Sequence, residues 1–147
     1  MALLGYQKRF AEEVMTGVKR NTIRMKRKHP IKPGETLYHY TGLRTKHSYK
    51  LLESKCLFVF EVTIENSDVL FDKSNITDTE VMEHANNFLA DLYCTALLIG
   101  KPKTKKAALR ICLDAFAQND GFEDFDCMKQ WFNKTHGLPF TGDFIRW

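Results

Sequence analysis

The sequence predicts an α+β fold, in which a strand-rich first half is followed by helices and a closing strand. The strongest strand pattern, 56–65, is rich in β-branched and aromatic residues. Apolar residues across 77–118 recur with a period of about 3.6 residues, which indicates helices. Strands that precede helices, rather than alternate with them, are typical of α+β domains.

The first helix is predicted over 6–16. Its apolar residues are spaced four apart, which places them on one face of a helix: Tyr6, Phe10 and Val14. Gly17 follows this segment, and glycine commonly ends a helix because it adopts the left-handed conformation without strain.

Two strands are predicted between this helix and 56–65. The first covers 21–27, where apolar and polar residues alternate. The second covers 36–41. The turn-forming residues at 32–35, with the sequence KPGE, separate the two strands.

Three helices and one strand are predicted in the second half. The first helix begins at Thr77 or Asp78, since either side chain can cap it. A second helix covers 104–118 and a third covers 124–134. The last strand, 143–147, would be tied into the sheet because it ends in an aromatic residue.

The composition favours one globular domain over 1–147. Hydrophobic residues make up 44% and charged residues 27% of the 147 residues, which is too apolar for a disordered chain. No apolar run reaches the ~20 residues that a membrane helix needs. The N-terminus becomes charged too early for a signal peptide. We therefore expect a cytoplasmic protein without a membrane partner.

No metal or other cofactor is expected. The four cysteines, Cys56, Cys94, Cys112 and Cys127, form no C-x-x-C pair. No histidine stands at the spacing of a zinc finger either. In a reducing compartment these residues are expected to be buried thiols.

Positive charge is concentrated in the first part of the chain. Residues 1–56 contain 13 Lys/Arg and 4 Asp/Glu, a net charge of +9, whereas 57–147 contain 9 and 14, a net charge of −5. Such asymmetry indicates a polyanionic partner for the basic part. The alternative is that these are ordinary solvated surface charges.

The densest group of cations covers 17–29. Strand alternation would place four polar side chains on one face: Thr22, Arg24, Lys26 and Lys28. Three cations and a hydroxyl on one face suit a phosphate backbone, while Ile23 and Met25 would face the core. The alternative is an edge strand whose cations prevent aggregation.

Lys19 and Asp120 are candidates for chemistry. Neighbouring positive charge, here from Arg20 and Arg24, and partial burial favour the neutral form of a lysine. A neutral amine can act as a base or a nucleophile. Asp120 would orient that amine or share its proton if the fold brought the two together. Otherwise both are ordinary residues near helix ends.

The order of these motifs resembles the ASCH family. The family pattern has a phenylalanine, then G-x-K-x-x-T-I-R, then a glycine turn, and similar segments follow later. The matching segments are Phe10, 17–24, 32–35, 120–122 and 142–147. The resemblance covers most of the chain except about 66–110.

Membership would imply a small PUA-like β-barrel with flanking helices, a cleft beside Lys19 and a helical insertion at about 77–118. It would also imply an RNA, nucleotide or nucleoside ligand. Some members bind RNA, some cleave it, and one bacterial branch removes the acyl group of N4-acetylcytidine. The lysine, threonine and glutamate of that branch correspond to Lys19, Thr22 and, one methylene shorter, Asp120.

One function that fits is a non-catalytic RNA-binding module. Four cations would contact phosphate: Arg20, Arg24, Lys26 and Lys28. A base would stack on an aromatic side chain such as Tyr38, Tyr40 or Trp147. Trp131 and Phe132 are instead expected to pack in the core.

The other function is a hydrolase, acting as a ribonuclease or on a modified nucleoside. Lys19 would be the base, and Thr22 the nucleophile or a polar support. Asp120 would orient Lys19, and Arg24 would stabilise developing negative charge. A third alternative is a protein-interaction adaptor that uses the acidic helical half.

Overall fold

The protein has an α+β fold, which confirms the predicted fold class. The structure, a computed structural model, describes all residues from 1 to 147. The strands are Ala2–Tyr6 (β1), Asn21–Met25 (β2), Thr36–Thr41 (β3), Tyr49–Lys55 (β4), Phe58–Ile64 (β5), Val69–Asp72 (β6) and Phe140–Arg146 (β7). The α-helices are Ala11–Met15 (α1), Thr79–Gly100 (α2), Lys105–Asn119 (α3) and Phe125–His136 (α4), and a 3-10 turn covers Lys8–Phe10.

The strands form two sheets. The smaller has the order β1-β3-β4, with β1 and β3 parallel, and the larger has the order β2-β7-β5-β6 with all pairs antiparallel. No strand ladder joins one sheet to the other, so the hydrogen bonding does not close into the barrel implied by the resemblance. The expectation of a closed barrel is therefore wrong, because the strands form two separate sheets.

The larger sheet is the middle of three layers. On one face Phe58, Phe60 and Phe144 pack against α2, α3 and α4. On the other face Val59 and Ile145 pack against the smaller sheet. The first three residues of β5, 58–60, are apolar and buried on both faces, whereas the half-buried Glu61 and Thr63 alternate with buried apolar residues. This explains why 56–65 gives the strongest strand pattern.

The predicted insertion is the helical layer formed by α2 and α3. Asp78, rather than Thr77, caps α2 by accepting hydrogen bonds from the backbone N–H of Glu80 and Val81. Thr104 caps α3 in the same manner, through the N–H of Ala107. The layer covers one face of the larger sheet and ends directly at Asp120.

The first predicted helix, 6–16, begins two residues too early, because Tyr6 belongs to β1 and the helical turns start at Lys8. Residues 2–6 form β1, in which Ala2, Leu4 and Tyr6 are buried. This alternation is only five residues long, and its pairing partner β3 is thirty-five positions away. A pattern so short and non-local carries little signal, so β1 was not predicted.

The predicted strand 21–27 ends two residues early, which changes the positions of its cations. β2 is an edge strand paired with β7 alone, and its ladder ends at Met25 and Gly142. Met25 is 61% exposed, so its predicted core position is wrong. Lys26 and Lys28 follow the strand, and alternation no longer places them on the face of Arg24.

The cysteines do not form the expected set of buried thiols. Cys56 is buried, Cys112 is half-buried, and Cys94 and Cys127 are exposed on their helices. No group of three or more His, Cys, Asp or Glu side chains is placed to hold a metal ion. None of the helices combines the length and apolar composition needed to cross a membrane.

His39 lies fully buried between the sheets in a network of polar and aromatic contacts. Its Nδ1 lies 3.1 Å from the Tyr6 hydroxyl, and its Nε2 lies 2.8 Å from Ser54 Oγ. Its ring centroid is 4.5 Å from that of Trp147. Burial, with a smaller contribution from the Arg24 charge, lowers the pKa of His39 to about 4.

We expect this histidine to make folding stability pH-dependent. Since its pKa falls from 6.5 unfolded to about 4 folded, the unfolded state binds more protons between these values, and stability decreases as the pH falls through this window. The loss attributable to His39 is at most about 3 kcal/mol. Urea unfolding of wild type and His39→Gln at pH 7 and pH 4.5 measures it. Equal pH dependence in both proteins would contradict a neutral buried His39.

Candidate functional site

Lys19 and Asp120 form a buried ion pair. Lys19 Nζ lies 2.8 Å from Asp120 Oδ1 and also donates to the Asp120 carbonyl oxygen. The two residues are 3% and 6% exposed. Two turns produce this contact: Gly17 and Gly121, at φ +74° and +90°, reverse the chain after α1 and α3.

Asn21 completes the surroundings of the Asp120 carboxylate. Its Nδ2 donates to Asp120 Oδ1 at 3.0 Å, and it is itself fully buried. Burial raises the pKa of Asp120, while the Lys19 charge and the Asn21 hydrogen bond act against that effect.

The ion pair opens onto a small cavity, here called the Lys19 cavity. Its volume is about 110 Å³. Polar and charged walls come from Lys19, Thr22, Arg24 and Asp120. Aromatic walls come from Tyr6, Phe10, Phe122, Trp131 and Phe132. Sites for whole drug-sized ligands occupy roughly 300–1,000 Å³, so this cavity suits a single small planar group.

Arg24 is held rigidly at the wall of this cavity. Its Nε donates to Thr22 Oγ1 at 3.1 Å, its Nη2 donates to the Gly5 carbonyl oxygen, and its Cζ lies 5.0 Å from the Tyr6 ring centroid. No carboxylate forms a salt bridge with it. Its charge acts on the Asp120 carboxylate of the same cavity without forming a salt bridge to it, so Arg24 can still bind an anionic or carbonyl oxygen of a ligand.

The structure thus brings together the four residues of the two motif segments: Lys19, Thr22, Arg24 and Asp120. The other four predicted ligand contacts lie outside the cavity. Arg20 and Lys28 are exposed, and Tyr40 is half-buried on β3 of the smaller sheet. Lys26 is ion-paired with Glu61. Nucleic-acid contacts at these positions remain predictions.

Lys26 lies beside a group of carboxylates on the larger sheet. Glu61 is the direct neighbour of Asp72 on β6 and of Asp143 on β7, so three carboxylates lie side by side across the larger sheet. Like charges in such positions repel each other, and Lys26 offsets part of that repulsion. The same carboxylates disfavour a phosphate at Lys26.

Several residues of the site were not predicted as site residues. Trp131 and Phe132 pack against the larger core, as expected, and also line the Lys19 cavity. Asn21 occupies a variable position of the motif. Arg9 stacks on Phe10, with its Cζ 4.4 Å from the ring centroid. Arg9 directly precedes Phe10 in the sequence, and this adjacency is the only sequence signal that could have indicated the pair.

Larger cavities exist elsewhere in the protein. One of about 830 Å³ opens between residues 30–34 and the start of α2, and it contains none of the four motif residues. Size alone therefore does not identify the site. A buried ion pair facing a cavity is the stronger indicator, because an apolar pair in its place would often be equally stable and charged pairs of this kind are frequent at functional sites.

No family model, no curated protein and no solved structure matches this chain. We therefore infer its function from the geometry of the Lys19 cavity and from the residues that surround it.

Proposed function

We propose that this protein is an ASCH-type domain with a PUA-like fold that binds RNA or a nucleotide and accepts a nucleobase in the Lys19 cavity. The observation that carries the proposal is the buried Lys19–Asp120 pair facing a small cavity with aromatic walls. Bases stack on aromatic side chains, and polar groups beside the rings can read their edges. The net charge of +9 in residues 1–56 favours a polyanion.

The same site supports hydrolysis of an acylated nucleobase amine. In this scheme the Lys19 amine is the general base, after its ammonium proton has moved to the adjoining Asp120 carboxylate. That amine takes a proton from water as the water oxygen bonds to the acyl carbon. The carbon–nitrogen bond then breaks, and the leaving nitrogen takes the proton from Lys19. The products are a carboxylic acid and the free base amine.

Arg24 and Thr22 have distinct roles in this scheme. The Arg24 guanidinium stabilises the negative charge that develops on the acyl oxygen. Since Thr22 Oγ1 accepts a hydrogen bond from Arg24, its own proton is free to donate to the same oxygen. Thr22 is therefore assigned a supporting role rather than that of the nucleophile.

A non-catalytic RNA-binding module is the second candidate. Lys19 already donates to two oxygens of Asp120, which is the arrangement expected of a residue that holds two turns together. In this case the cavity would hold an unmodified base and no bond would break. Both candidates use Arg24 for binding.

We expect Arg24→Gln to weaken binding of a short single-stranded RNA by about tenfold or more, because it removes a charge-assisted contact. The slope of log affinity against log salt should fall by about 0.7. Fluorescence anisotropy at several salt concentrations measures both quantities.

The matched control is Arg44→Gln, an equal charge change on an exposed arginine outside the Lys19 cavity. We expect it to alter affinity only a few-fold. If both variants lose affinity equally, binding is a diffuse charge effect and the proposed site is wrong.

A further inference from the structure

The connection between α2 and α3 lies outside the hydrophobic core. The two helices pack against each other, and α2 joins the core on the larger sheet through Ala85 and Leu89. No residue from 90 to 112 is buried, and no side chain from 94 to 112 packs against the core. We call residues 97–106, which join the end of α2 to the start of α3, the hairpin tip.

Two large aliphatic side chains are exposed side by side at the hairpin tip. Leu98 is 75% exposed and Ile99 is 79% exposed, in the last turn of α2. Aliphatic surface left in water forgoes the free energy that its burial would supply. Adjacent exposed apolar side chains with a polar rim favour an interaction surface.

The rim of this apolar pair is strongly basic. Residues 92–113 contain five Lys/Arg and no Asp or Glu, a net charge of +5, although 57–147 as a whole has a net charge of −5. Arg110 is ion-paired with Asp114 and Asp126. The other four cations lie in the hairpin tip, are exposed and form no salt bridge: Lys101, Lys103, Lys105 and Lys106.

Stability does not explain the position of these lysines. Lys105 and Lys106 stand in the first turn of α3, which contains no acidic residue. Cations there are unfavourable, because the helix dipole places positive partial charge at the N-terminus. Asp126 of α4 shares a groove with Lys106, but it is ion-paired with Arg110 and Lys129. The positive charge of the hairpin tip is therefore left for an anionic partner.

We propose that the hairpin tip binds the surface of an anionic lipid bilayer. Leu98 and Ile99 would enter the boundary between head groups and acyl chains, while the lysines contact anionic head groups. Lysine stems can lie along apolar surface with their ammonium groups in water. Such a contact needs no membrane-crossing helix, and the lack of one was the basis for expecting no membrane partner.

The composition of the hairpin tip favours a bilayer over other partners. RNA and protein surfaces are commonly bound through aromatic side chains and arginine. Residues 94–112 contain no aromatic residue, and their one arginine, Arg110, is ion-paired. A second copy of the chain would bring its own lysines against these and be repelled. The inference goes beyond the proposed function and uses no residue of the Lys19 cavity.

Co-sedimentation with vesicles of phosphatidylcholine, alone or mixed with phosphatidylserine, tests the proposal. We expect wild type to bind the mixed vesicles about tenfold or more tightly than the neutral ones, and to lose this preference at high salt. Leu98→Ser with Ile99→Ser should weaken binding to the mixed vesicles by about tenfold or more, because it removes the inserted apolar surface. Ile99→Trp should strengthen binding, since tryptophan prefers the membrane interface.

A second pair of variants tests the lysines. Lys103→Gln with Lys105→Gln should weaken binding to the mixed vesicles by about tenfold or more. The matched control, Lys32→Gln with Lys46→Gln, removes the same charge from exposed lysines in the loops beside β3 and should change binding only a few-fold. Circular dichroism confirms that each variant is folded.

The inference is overturned if wild type does not bind the mixed vesicles, or if binding survives Leu98→Ser with Ile99→Ser. It is also overturned if Lys103→Gln with Lys105→Gln lowers affinity for single-stranded RNA and leaves vesicle binding unchanged, which would assign the hairpin tip to RNA. A wild-type dimer that Leu98→Ser with Ile99→Ser converts to a monomer, without vesicle binding, would assign the hairpin tip to a second copy instead.

Discussion

Lys19→Met is expected to lower the free energy of unfolding by about 3–5 kcal/mol, because it leaves a buried carboxylate without its counterion. Asp120 would then keep only the hydrogen bond from Asn21. Adding Asp120→Asn should recover most of the loss, since the isosteric amide carries no charge and can still accept from Asn21. Urea unfolding of the two single variants and the double variant gives the coupling directly.

The pH dependence gives an independent check on this mechanism. Without Lys19, only the Arg24 charge and the Asn21 hydrogen bond oppose the effect of burial, so the folded pKa of Asp120 lies further above its unfolded value. The folded state then binds more protons than the unfolded state, so the variant loses stability as the pH rises. We therefore expect the deficit of Lys19→Met to be smaller at pH 5 than at pH 8.

Lys26→Met is the matched control, because it removes the same charge from an exposed ion pair. The Lys26 and Glu61 side chains are 57% and 31% exposed. Exposed pairs contribute about 0–1 kcal/mol, so the loss should be small. Similar losses for Lys19→Met and Lys26→Met would mean that the buried pair has no special energetic role.

Patterns that extend over many residues allowed much of the fold to be predicted. The apolar period of α2 reflects a helix packed on one face, and the apolar residues 58–60 of β5 reflect a strand segment buried on both faces. β4 escaped prediction because it is largely exposed and shows no apolar alternation. β6 has only four residues, which is too few for a period to be recognised.

The candidate site was predicted less completely than the fold. Motif order was enough to bring Lys19 and Asp120 together across about a hundred residues. Alternation correctly kept Ile23 buried but failed at Met25, where the edge strand ends. The aromatic walls come from distant elements, such as Trp131 on α4, and no local pattern relates them.

We expect Lys19→Arg to reduce hydrolysis of N4-acetylcytidine by about 10²-fold or more while changing nucleoside affinity only a few-fold. Arginine keeps the positive charge and can still contact Asp120, so electrostatic attraction for the ligand survives. It does not lose its proton at working pH and therefore cannot take one from water. Product formation by wild type and variant is followed by chromatography, and affinity is followed by titration in parallel.

Two further variants distinguish a chemical role of Lys19 from a role in supporting the fold. Thr22→Ala should reduce the catalytic rate less than Lys19→Arg, because Thr22 only assists in stabilising the oxyanion. Arg20→Ala changes an exposed neighbour outside the cavity and should leave the rate unchanged.

A Lys19→Arg variant that is stably folded and turns over as fast as wild type would remove Lys19 from the mechanism. If wild type itself forms no product, hydrolysis of this substrate is rejected. The buried pair then has the role that the binding-module candidate gives it, which is to hold the turns after α1 and α3 together beside a base-binding cavity.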